Sequence, residues 1–127
     1  MSAIKTGGQC FETANNLAVT FLSRGMDPTV VHALVTHPNE GFRHIHAWVE
    51  VEGLVFDYEV KEGFVISRDR YYRAGQIRGD EIAYYTLYEA LENMFTHDHH
   101  GPWDRNLLLK ESVPEEFEID CNRPSAG

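Results

Sequence analysis

The stretch FRHIHAWVEVEGLVFDYEV, residues 42–60, decides the fold. Two runs rich in β-branched and aromatic residues flank Glu52-Gly53, a short turn of the kind that closes a hairpin. With those two residues as the turn, Val51 faces Leu54, Trp48 faces Asp57 and His46 faces Glu59. Side chains alternate along a strand, so His46, Trp48, Glu50, Val55, Asp57 and Glu59 are expected on one face. Asp57 is then the diagonal neighbour of His46, within side-chain reach. A register slip of one residue would bring a different carboxylate forward, and Glu59 lies directly across from His46.

Outward from the hairpin, VVHALVTH (residues 30–37), bounded by PNEG, reads as a preceding strand, which makes an antiparallel meander. Before it, Cys10, Ala14, Leu17, Ala18, Phe21 and Leu22 recur at helical spacing, and Gly25 and Pro28 supply a stop. That predicts a helix of about three to four turns packed on the meander. Beyond the hairpin, FVI (64–66) reads as a short strand and Ser67 as the cap of a short helix through RDRYYRA, ending near Gly75. GQIRGDE reads as a loop, EIAYY as an edge strand, and Thr86 with Glu89 as a capping box. The helix so opened carries Leu87, Ala90, Leu91, Met94 and Phe95 on one face and stops near THDHHGPW. The order predicts one α+β domain over residues 1–113, with 114–127 a loosely ordered tail.

A chain of 127 residues with 43% hydrophobic content can build one core. It has no apolar run long enough to span a membrane, and MSAIKTGG has no secretory h-region. The formal charge of −9, from 20 acidic and 11 basic residues, argues against a nucleic-acid grip. Cys10 and Cys121, near opposite ends, are read as reduced thiols, Cys121 as an idle surface one, which implies a cytoplasmic setting.

Cys10 in GGQCFETA (residues 7–14) stands where the first helix begins. A helix N-terminus stabilises a thiolate, and a nearby imidazolium lowers the thiol pKa further. With His46 and Asp57 from the hairpin, the sequence offers a nucleophile, a base and an orienting carboxylate. Taken singly, each has a structural reading: a core Cys, a satisfied strand His, a polar residue on a wet face.

GGQCFETA, HAWVEVEG and VFDYE together resemble the transglutaminase-like branch of the papain-like cysteine fold. They are most like its small cysteine peptidases, lasso-peptide leader peptidases among them. The resemblance covers about Gly7 to Val60, under half the chain. It implies a papain-like fold and maps Cys10 to the nucleophile, His46 to the base and Asp57 to the orienter, with a thioester acyl-enzyme, a peptide or protein substrate and no cofactor. Gln9 departs from the papain pattern, where the oxyanion-hole Gln lies several residues before the Cys. The backbone N–H of Cys10 is therefore the expected oxyanion donor, with Gln9, Trp48 and Glu59 supporting. Trp48 is expected to shield the His46–Asp57 pair.

Other readings compete. An inactive relative could use the same cleft to bind a peptide or protein. His44 and His46, two apart in a strand, could hold a metal with Asp57 or Glu59, and HDHH adds His97, His99 and His100. Tyr71, Tyr72, Tyr84 and Tyr85 could line a groove, and Trp103 reads as a plug seating the last helix.

Overall fold

The computed structural model describes residues 8–57 and 64–114. In chain order these form α1 (Gly8–Ser23), β1 (Thr29–Thr36), β2 (Arg43–Val51), β3 (Leu54–Asp57), β4 (Phe64–Ser67), α2 (Arg68–Ala74), a 3-10 turn (Gly79–Glu81), β5 (Ile82–Thr86), α3 (Leu87–His97) and α4 (Arg105–Lys110). The strands make an antiparallel sheet in the order β4-β3-β2-β1-β5, so the architecture is α+β. Among the described residues no helix is long and apolar enough to cross a membrane.

The hairpin turn falls at Glu52-Gly53, and both residues have positive φ, 51° and 80°. A two-residue primed turn needs that left-handed backbone, which glycine adopts at no steric cost. The turn sets the register Val51–Leu54, Glu50–Val55 and Val49–Phe56, as the sequence predicts. β5 lies at the sheet edge, as expected, and its partner there is β1.

Alternation along β2 divides the core in two. Ile45, Ala47, Val49 and Val51 join Cys10, Phe11, Ala14 and Ala18 of α1 in one cluster, with Leu87 and Ala90 of α3 and Leu107 of α4. Trp48, Val31, Ala33 and Val55 face the other way and pack against Tyr71 and Tyr72 of α2. So α1, α3 and α4 cover one face of the sheet and α2 covers the other.

Ser67 caps α2 through its side chain, and Thr86 and Glu89 form the capping box of α3. Two details differ from the sequence reading. Phe95 is 91% exposed, because burial along α3 fades from Leu87 and Ala90 in its first turn to half-buried Leu91 and Met94. And α4, capped by the Asp104 side chain, had no counterpart in the pattern: it buries Leu107 while leaving Leu108 and Leu109 exposed. The expectations for Glu59, for Cys121 and for the tail beyond Pro114 lie outside the described residues.

Candidate active site

The hairpin places His46 and Asp57 as its register requires. His46 Nε2 and Asp57 Oδ2 are 2.9 Å apart, and both residues are buried. An ionised carboxylate only accepts, so Nε2–H donates, and the ring when neutral carries its lone pair on Nδ1. The same oxygen, Asp57 Oδ2, accepts from the Tyr71 hydroxyl at 2.5 Å. Trp48, 1% exposed, sits beside the pair with its ring centroid 5.9 Å from that of His46.

Cys10 lies in the first turn of α1 and is 2% exposed. Its backbone N–H is among the first four of the helix, which have no intrahelical acceptor. Gln9, beside it, is exposed. Cys10 lines a small cleft with Thr13, Ala14, Leu17, Ala47, Trp48, Phe56 and Asp57. The described β2–β3 ladder ends at Val49–Phe56, and the cleft lies at that end. Because α1 packs on the Ala47 face, Cys10 approaches this seam from one side of the sheet. The His46–Asp57 pair lies on the other side, under Tyr71.

Around the pair, Glu50 is a second buried carboxylate. Its Oε2 accepts from Trp48 Nε1 at 3.0 Å and from the Tyr72 hydroxyl at 2.5 Å, while Arg68 Nε stands 3.5 Å from its Oε1. Burial, with the hydrogen bond to Glu50 next, raises the Tyr72 phenol well above its usual value. Tyr71 and Tyr72 thus reach two sheet carboxylates instead of lining a groove. The cue in the sequence was a pair of tyrosines on a capped helix after a strand pair that carries carboxylates on one face.

Of the other histidines, His44 adjoins this pair, and His32, His97, His99 and His100 lie elsewhere. His44 is next to His46 on β2, ring centroids 6.3 Å apart, and its pKa is lowered to about 3, by burial first and then by the His46 charge. His32 of β1 is fully buried on the α1 face among Phe11, Tyr85 and Trp103. Trp103 therefore plugs the core over His32, and its Nε1 donates to the His99 carbonyl. His100 Nδ1 meets Asn15 Nδ2 at 3.2 Å, and the His97 and His99 ring centroids are 6.3 Å apart. Among the described residues no group of three or more His, Cys, Asp or Glu side chains is arranged to hold a metal ion.

No protein-family model, curated protein or solved structure matches the chain.

Proposed function

We propose that the protein is a cysteine-dependent amide hydrolase or acyltransferase of the transglutaminase-like, papain-like class, acting on a peptide or protein. The observation that carries the reading is the buried His46–Asp57 pair at 2.9 Å, whose Asp57 lines a cleft together with Cys10. Asp57 holds the Nε2–H of His46, which directs Nδ1 to act as the base. The Cys10 thiol gives its proton to Nδ1 and its sulfur attacks the substrate carbonyl carbon. The backbone N–H of Cys10, at the helix start, faces the developing oxyanion. The imidazolium returns the proton to the leaving amine as the C–N bond breaks, and a thioester remains. Water then releases an acid, or a second amine forms a new amide, and the thiol is restored. The scheme requires the sulfur to reach the His46 ring through the seam between β2 and β3.

The test is direct acylation. Incubated with an activated peptide ester, the protein should gain one acyl mass on Cys10, and Cys10→Ala and His46→Ala should not. No acyl mass on the native protein sinks the reading. A second reading, a non-catalytic peptide-binding domain, is favoured by the burial of Cys10 on the face opposite the pair. It predicts peptide binding without acylation and without dependence on Cys10.

A further inference from the structure

We propose that Tyr71 is a positioning residue for the His46–Asp57 pair, setting both the orientation and the proton affinity of the imidazole through the hydrogen bond it gives to Asp57. This rests on the reading of His46 as the base. Tyr71 donates to Asp57 Oδ2 at 2.5 Å, and His46 Nε2 meets the same oxygen at 2.9 Å. A carboxylate that accepts a second strong bond offers less charge to the first partner. Tyr71 therefore restrains how far Asp57 stabilises the imidazolium, and it fixes the carboxylate plane against the ring.

The element that carries Tyr71 is held at both ends and in its middle. The Arg68 N–H donates to the Gly53 carbonyl of the hairpin turn at 3.0 Å. At the other end the Thr36 N–H of β1 donates to the Gly75 carbonyl at 3.0 Å. Between them Tyr72 is tied to Glu50, and the Tyr71 ring packs edge-on against Trp48 with centroids 4.8 Å apart. A hydroxyl so anchored is preorganised, so its effect on Asp57 costs no reordering during a reaction. Among the described residues, Asp57 from β3 and His44 along β2 meet His46, Tyr71 from α2 shares its Asp57 oxygen, His32 of β1 lies on the opposite face within reach of its charge, and Cys10 of α1 lines the cleft beside Asp57. Glu50, further along β2, is engaged by Trp48 and Tyr72. Tyr71 touches the orienting oxygen itself, beside His46.

The experiment follows the His46 ring by nitrogen-15 NMR against pH in the full chain. Tyr71→Phe keeps the ring against Trp48 and removes the donor. Asp57 then keeps more charge for the imidazolium, and the His46 midpoint should rise by on the order of half to one unit. Tyr72→Phe, which releases Glu50 and not Asp57, should leave the midpoint in place. If Tyr71→Phe does not fold, fluorotyrosine at position 71 keeps the shape and strengthens the donor, and should lower the midpoint. Identical ring signals in native and altered proteins overturn the proposal. So does an equal shift from Tyr72→Phe, which would show general loosening of α2. The readout is independent of catalysis. A His46 shift in a protein that never acylates Cys10 removes the enzyme reading and leaves the positioning, and acylation without the shift does the reverse.

Discussion

His46 and Asp57 are 11 positions apart in the chain, yet their side chains meet at 2.9 Å inside the protein. The meeting is a consequence of turn chemistry. Glu52 and Gly53 take left-handed backbone, the turn closes in two residues, and the register that follows leaves Asp57 one diagonal step from His46.

Because the pair is buried, its substitutions should separate catalysis from stability. Asp57→Asn keeps one acceptor oxygen for Nε2–H and for Tyr71, and should slow acylation of Cys10 only moderately. Asp57→Ala removes the acceptor of a buried donor on His46 and of a half-buried one on Tyr71. It should slow acylation far more and destabilise the fold by about 2 kcal/mol. His46→Ala, which removes the base, should be worse than either for acylation. Single-turnover acylation and urea unfolding on the same proteins check this. An Asp57→Ala protein as reactive as Asp57→Asn removes Asp57 as the orienter. Greater damage from Glu59→Ala would transfer the role to Glu59.

The hairpin was legible because a two-residue turn leaves one register and alternation does the rest. The first helix and both caps were legible for similar local reasons. Which helix would cover which face was not. β2 is buried along nearly its whole length, so the side that carries His46 and Glu50 is covered as well and marks no outer surface. Cys10 and His46 could therefore be assigned to an element and a face without showing that α1 takes the Ala47 side and α2 the Trp48 side. The bonds from Tyr71 to Asp57 and from Tyr72 to Glu50 depend on that same long-range choice. α4 escaped for a different reason: RNLLLK is a six-residue helix, too short for periodicity to show, and it buries a single leucine.

Thiol chemistry gives a second test. If the helix start and His46 act on Cys10, its alkylation by iodoacetamide should already proceed near pH 6. A rate that rises only around the ordinary thiol pKa of about 8.5 removes the activated thiol. The Cys10→Ala protein, in which Cys121 is the remaining cysteine, supplies the background rate.

Metal removal gives a third. Neither the thermal midpoint nor the acylation of Cys10 should change after dialysis against a chelator. Stoichiometric zinc in the purified protein, with acylation lost on chelation, would instead move the chemistry to the histidines of β2.

The last test concerns His32, whose ring nitrogens are both buried without a hydrogen-bond partner in the described structure. Its pKa is lowered from 6.5 to about 3, by burial first and then by the charge of His46. In the unfolded chain the same imidazole titrates near 6.5. The unfolded state therefore binds more protons between those values, and the stability from keeping His32 neutral is complete above about 6.5 and drains away toward about 3. His44, lowered for the same first reason, adds in the same direction. Between pH 7 and 5.5, where ordinary carboxylates stay largely ionised, His32 should account for a loss of about 1 kcal/mol. His32→Leu keeps an apolar side chain among Phe11, Tyr85 and Trp103 and has no proton to take up. Its urea midpoint should fall less than that of the native protein as the pH drops from 7 to 5.5, with unchanged denaturant sensitivity. Equal falls in the two proteins would mean that His32 is already charged in the fold, or that its site admits water.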